Sequence, residues 1–233
     1  MEFNDRTVIV TGAAGNLGRA VASRFEELGA NLVLVDLRRE DLEAHAPATR
    51  KHLFVPANLL VQDEVRATAD AALAHFGRID VLCNLAGGFR MGEAVHELSD
   101  ENLGFLFDIN VRTLLHMVRA VAPHMIAAGG GRIVNVGAFA AQKGEAQMGA
   151  YVATKAAVIR LTETMAAELR EQHINVNCVL PTIIDTPENR AAMPDADPTR
   201  WVSPHDLANV IAFLASDAAR AVHGAALPVT GLS

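Results

Sequence analysis

The chain's one tyrosine, Tyr151, stands four residues before Lys155, one of three lysines with Lys51 and Lys143. Positions four apart on a helix share a face. An ammonium 4 to 5 Å from a phenol favours the phenolate by about 3 to 4 kcal/mol at an effective dielectric near 20, roughly two to three pKa units. A tyrosine so placed exchanges protons near neutral pH, as a general acid or base does. The bland alternative is a surface tyrosine beside a solvated lysine.

A second group of residues suits phosphate. Thr11-Gly12-Ala13-Ala14-Gly15-Asn16-Leu17-Gly18 lies between a strand-like run and a helix-like one. Glycines there let the backbone turn tightly and approach a pyrophosphate, and the helix start supplies free N–H groups and a positive dipole end. Asp36 ends the next strand-like run, 18 residues past Gly18. A carboxylate there accepts from the adenosine ribose hydroxyls and repels a 2′-phosphate, which favours NAD(H) over NADP(H). Arg38 and Arg39 keep NADP(H) open, because a guanidinium can hold the extra phosphate; the alternative for them is solvated loop charge.

Alternating elements must position these groups. Residues 7–11, 31–36, 53–57, 79–84, 132–136, 174–180 and 226–229 read as strands, most of them apolar throughout. Residues 16–28, 61–76, 102–128 and 151–171 read as helices, with Pro123 marking a bend near the end of the third. Ser203-Pro204-His205-Asp206 starts a last helix, reaching about residue 216: a capping serine, a proline in the first turn and an acid three after the cap. Buried strands separated by helices imply an α/β fold, a parallel sheet covered on both faces. The stretch 182–202 reads as one long irregular loop, which in a compact domain is usually functional.

Composition narrows the classes. Of 233 residues, 51% are hydrophobic and 20% charged, enough for one sizeable core over 1–233. A net charge of −7 disfavours nucleic acid as a partner. No apolar run is long enough for a membrane helix, and the acidic first residues do not read as a secretory signal, so the expected place is the cytoplasm. Cys83 and Cys178 stand alone, and the nine histidines are scattered without metal-ligand spacing, so no metal is expected. His116 and His124 read as interface or surface residues. Trp201, with Arg190 and Arg200 nearby, either closes over a flat polar substrate or anchors the long loop to the core.

Together these residues resemble the short-chain dehydrogenase/reductase family over essentially the whole chain. The glycine turn, Asp36, Asn84-Leu85-Ala86-Gly87 and Tyr151-x-x-x-Lys155 fall in family order. The resemblance implies a single-domain, doubly wound Rossmann fold and an NAD(P)-dependent oxidoreductase. It implies that Tyr151, Lys155 and Asn110 are catalytic, with Asn110 holding a water in a proton relay and Lys155 also binding the nicotinamide ribose. It implies a cofactor lined by Gly12, Gly15, Asn16, Leu17, Gly18, Asp36, Asn58, Leu59, Asn84, Ala86, Gly87, Tyr151, Lys155, Pro181, Ile184 and Thr186, with Thr186 at the nicotinamide carboxamide. A homodimer or homotetramer built on the helices from Asn102 and Tyr151 is implied as well.

Four positions depart from the pattern. The middle glycine is at 15 rather than 16, Leu85 stands where a second asparagine is usual, and Thr182 follows Pro181 where glycine is usual. Ala138, 13 residues before Tyr151, replaces the serine that donates to the substrate carbonyl. Losing one such donor typically costs about 10² to 10³ in rate; Gln142, Lys143 and Gln147 are candidate substitutes. The glycine spacing, Ala138 and the 180–201 stretch resemble the dihydropteridine reductase-like branch, which implies hydride transfer from NADH to a quinonoid, pterin-like substrate. Asn110 and Pro228-Val229-Thr230-Gly231 look instead like carbonyl reductases, so a ketoreductase or alcohol dehydrogenase is the alternative. A 3-oxoacyl-carrier-protein substrate would require a basic patch, for which Arg90, Arg190 and Arg200 are the candidates. A non-catalytic dinucleotide-binding module is the reading from another class.

Overall fold

Five consecutive buried residues form strand β1, Thr7–Thr11, and their side chains set the layering. Val8 and Val10 face one hydrophobic core and Ile9 the other, as the two-residue period of a strand requires. A computed structural model describes residues 1–44 and 49–233; His45 lies outside the described residues. The other strands are β2 (Asn31–Asp36), β3 (His52–Pro56), β4 (Val81–Asn84), β5 (Gly131–Val136), β6 (Ile174–Pro181) and β7 (Ala226–Val229). They form one parallel sheet in the order β3-β2-β1-β4-β5-β6-β7.

Helices cover both faces. Among the described residues they are α1 (Asn16–Glu27), α2 (Arg39–Glu43), α3 (Gln62–Phe76), α4 (Asp100–Phe107), α5 (Thr113–Ala127), α6 (Gly149–Leu169), α7 (Pro187–Ala192) and α8 (Pro204–Ala215). Helices α1 and α8 pack on one core through Val21, Phe25, Leu207 and Ile211. Helices α3, α5 and α6 pack on the other through Val65, Met117, Val121 and Val158. The strand order reverses between β1 and β4, and ligands of doubly wound sheets bind beyond the carboxyl ends at that point.

Two expectations from sequence are revised, the single helix over 102–128 and the irregular loop over 182–202. The single helix over 102–128 is interrupted by a π-helical turn at Asp108–Arg112 that contains Asn110. A periodicity argument does not see one extra residue in a turn, and such turns are frequent at functional sites. Pro123 lies inside α5, which runs on to Ala127. The stretch 182–202 is not irregular throughout: it holds α7 and a 3₁₀ turn at Pro198–Arg200. Each begins with a side-chain cap followed by proline, Thr186-Pro187 and Asp197-Pro198. The last helix starts as its chemistry requires, with the Ser203 hydroxyl accepting from the Asp206 N–H at 3.0 Å.

Candidate active site

Gly12 sits at φ +65°, and a Cβ there would lie 3.1 Å from the Ala86 backbone. A Cβ on Gly18 would come within 2.0 Å of the Gly12 carbonyl oxygen. These two glycines fold the turn flat against the segment after β4 and onto the start of α1, leaving a cradle that any side chain would fill. Thr11 secures it, accepting from the N–H groups of Leu85 at 3.0 Å and Ala86 at 3.1 Å. Asn16 is the first residue of α1, next to Gly15 and Leu17. The carboxylate of Asp36, at the end of β2, accepts from the Ala14 N–H at 3.0 Å and the Leu37 N–H at 2.8 Å. Arg38 is engaged by Asp41, and Arg39 by Glu43 and the Phe54 carbonyl. This cradle, with a carboxylate where the adenosine ribose would lie, fits a dinucleotide.

The catalytic candidates converge on the far side of the switch point. Lys155, on α6, is buried and donates to the Val136 carbonyl at 2.9 Å. Burial lowers its pKa to about 8. A Cβ on Gly87 would lie 2.9 Å from Asn110 Oδ1 and 3.4 Å from Lys155 Nζ, so that glycine leaves the space between them. Asn110 is buried and grips the Gly88 peptide at both ends: its Oδ1 accepts from Gly88 N–H, and its Nδ2 donates to Gly88 O, each at 3.0 Å. It also donates to Thr154 Oγ1 at 3.3 Å. Tyr151, one turn before Lys155, meets Phe89 edge to face with ring centroids 4.8 Å apart.

The expected coupling of phenol and ammonium is corrected here. Burial pushes the Tyr151 phenol up to about 12. The i,i+4 spacing is present, but the ammonium is turned to the Val136 carbonyl and is itself disfavoured by burial. Spacing alone gave the attraction and omitted desolvation.

Other predicted residues fall into three groups. Asn84 is buried in the sheet, donating to Asn135 Oδ1 at 2.9 Å, and so packs into the core rather than lining the cleft by its side chain. Leu59 is also core, whereas Asn58 is exposed and its Oδ1 accepts from Leu60 N–H at 3.0 Å. Pro181 ends β6; Ile184 bridges to Val202; the Thr186 hydroxyl caps α7, accepting from the Asn189 N–H at 3.2 Å. Ala138 is buried, and Gln142, Lys143 and Gln147 are exposed, with Lys143 paired to Glu145 at 2.9 Å.

Two further ambiguities resolve. Trp201 is buried and anchors the 182–202 segment, so it does not close over a substrate. His116 is not a surface residue of the chain: it is buried, its Nδ1 2.8 Å from the Leu59 carbonyl. Sequence reading missed Glu188, whose carboxylate accepts from Asn16 Nδ2 at 2.7 Å across the cleft. The signal was the side chain at 16, where the usual pattern has glycine. The cysteines are buried and free. Among the described residues no group of three His, Cys, Asp or Glu side chains could hold a metal, and no helix is long and apolar enough to cross a membrane.

A doubly wound sheet with a glycine cradle at its switch point, and a half-buried tyrosine beside a buried lysine and asparagine, fits a dinucleotide-dependent oxidoreductase. The family described as enoyl-(acyl carrier protein) reductase matches residues 12–231. D-threitol dehydrogenase of Mycolicibacterium smegmatis is 35% identical over 98% of this chain and 93% of its own. The 3-oxoacyl-acyl-carrier-protein reductase of Thermotoga maritima is 31% identical over 99% and 98%. The crystal structure of NAD⁺-bound xylitol dehydrogenase superposes with a TM-score of 0.91 at 30% identity, over 99% of this chain and 100% of that one. The chain belongs to the short-chain dehydrogenase/reductase family and is an NAD(P)-dependent oxidoreductase.

Proposed function

We propose that the chain interconverts a small secondary alcohol and its ketone, using NAD(H) and Tyr151 as the proton carrier. The convergence of Tyr151, Lys155 and Asn110 beside the Gly12–Ala86 approach carries this reading. Bound NAD(H) would supply or accept the hydride. The N–H groups of the glycine turn and of the start of α1 would hold its pyrophosphate. Asp36 would accept from the ribose hydroxyls, and the engagement of Arg38 by Asp41 and of Arg39 by Glu43 and the Phe54 carbonyl favours NAD(H) over NADP(H).

Tyr151 enters the reductive direction protonated, since burial keeps it a phenol at neutral pH. It donates that proton to the substrate oxygen as charge develops there. The oxidative direction requires the phenolate, so its kcat/KM should climb from pH 7 to 10. Lys155 would hold the nicotinamide ribose, and Asn110 fixes the loop after β4 through both ends of the Gly88 peptide. Ala138 carries no hydrogen-bonding side chain, so Tyr151 is the proposed side-chain donor to the substrate oxygen.

Ala138 also favours a second reading, a quinonoid, pterin-like acceptor that does not depend on the serine. That reading rests on Ala138 and the 182–202 segment. One assay separates the two: NADH oxidation with quinonoid dihydropterin beside a panel of ketones, with NADPH in parallel. Ketone turnover with NADH preferred supports the first reading; turnover with the pterin alone replaces it. Tyr151→Phe should lower kcat at least 10³-fold while leaving NADH binding within about threefold. Retained turnover in that variant would remove Tyr151 from the mechanism.

A further inference from the structure

We propose that Phe89 selects the substrate, and that it selects an alcohol or ketone whose reacting carbon is carried on an apolar ring. This inference rests on the alcohol–ketone reading and names its substrate class.

Phe89 is the first side chain beyond Gly87-Gly88 and lies edge-on to the Tyr151 ring, centroids 4.8 Å apart and planes at 85°. It is 55% exposed all the same, so much of the ring faces open space beside the proton donor. Its placement is not loose. Asn110 holds both the N–H and the carbonyl of Gly88, which fixes the direction in which the next side chain leaves. Gly88 is closely packed as well, since a Cβ there would lie 3.2 Å from Ile109 Cγ2. Further along, Gly92 N–H donates to the Gln147 carbonyl at 2.9 Å and ties the segment to the loop before Tyr151. Val95 sits over the start of α6, where a Cβ on Gly149 would meet it at 2.9 Å.

Phe89, Met91 and Val95 are 55%, 53% and 75% exposed, and all three lie on this clamped segment. An exposed apolar group held rigidly beside a catalytic phenol is a surface that a ligand covers. The nearby cations are engaged elsewhere. Arg190 makes a two-point contact with Asp185 at 2.6 and 2.7 Å, and the Arg90 guanidinium lies 3.7 Å from the centre of the Phe105 ring. A polyol would shed water against hydrocarbon without replacement hydrogen bonds, whereas a ring would pack on Phe89 and leave only its oxygen to Tyr151.

The test is steady-state oxidation by the full chain with NAD⁺ and three probes: cyclohexanol, 2-butanol and erythritol. Wild type should prefer cyclohexanol to erythritol at least 100-fold in kcat/KM. Phe89→Ala should lower the cyclohexanol to 2-butanol ratio of kcat/KM about tenfold, mainly through KM, and Phe89→Leu should recover most of it. A preference for erythritol, or an equal loss on every probe, overturns the inference and leaves the alcohol–ketone reading standing. Failure of wild type on every probe, with cyclohexanone and NADH also inert, removes that reading and the inference with it.

Discussion

Lys155 is a charged group in a place that disfavours charge. Its pKa falls from 10.5 to about 8 on burial. The folded value lies below the unfolded one, so the unfolded chain holds the proton more tightly. The penalty is fully present below about pH 8 and fades as the pH rises to about 10.5, amounting to roughly 3 kcal/mol at most. Lys155→Met should therefore raise the Tm at pH 7 by a few degrees while abolishing turnover, the lost bond to Val136 offsetting part of the gain. Calorimetry at pH 7 and pH 10 checks this: the advantage of the variant must shrink at the higher pH. Ala138 is the complementary case, a missing group rather than a costly one. Ala138→Ser restores the hydroxyl usual at this position in the family pattern and should raise kcat on ketones, by up to about 10²-fold if the pocket accepts it without shifting. A loss of ketone reduction in that variant would show a site shaped around the methyl. Neither pKa was legible from spacing. The motif located Tyr151 and Lys155, but their protonation depends on burial, which α6 sets by packing on β5 and β6.

At the scale of elements, the contact between α7 and α1 is the one the sequence did not announce. Glu188 on α7 accepts from Asn16 at the start of α1, and Asn16 in turn accepts from Arg19 at 2.6 Å. The Glu188 carboxyl is held below its ordinary range by its own backbone N–H, by Thr186 and by Asn16, so it stays anionic at neutral pH. Pyrophosphate bound at the same helix start, as proposed, would bring two negative charges toward that anion. Glu188→Gln keeps the hydrogen bond and removes the charge. It should tighten NAD⁺ binding a few-fold at low salt, with the gain fading as ionic strength rises. Titration calorimetry at two salt concentrations decides it, and an effect indifferent to salt would exclude repulsion as the cause. The elements themselves followed their local chemistry where that chemistry was strong. The Ser203 cap placed α8, and the alternation of Val8, Ile9 and Val10 placed β1 between two cores. The π turn at Asp108–Arg112 and the short α7 escaped, because one inserted residue and a six-residue helix leave little periodicity to read.

For the whole molecule, α4, α5 and α6 lie along one face, with Phe105, Phe107 and Ile126 between 37% and 41% exposed. If these helices pair with a second copy, as family resemblance implies, light scattering at micromolar concentration should give a mass of two or four chains. A mass of one chain would contradict it. The seven strands, the main helices between them, and the positions of the glycine turn, Asp36, Tyr151 and Lys155 were legible in the sequence itself. Each rests on short-range physics: hydrophobic period, capping, glycine's freedom at positive φ and the i,i+4 geometry of a helix. What the tertiary structure decided is which of these groups meet and in what dielectric. Asn84 and Leu59 turned into the core, Trp201 became an anchor, and Asn110 became the clamp that aims Phe89 at Tyr151. Contacts across 22, 44 or 172 residues depend on how the sheet twists and the helices pack, and local pattern carries no record of those distances.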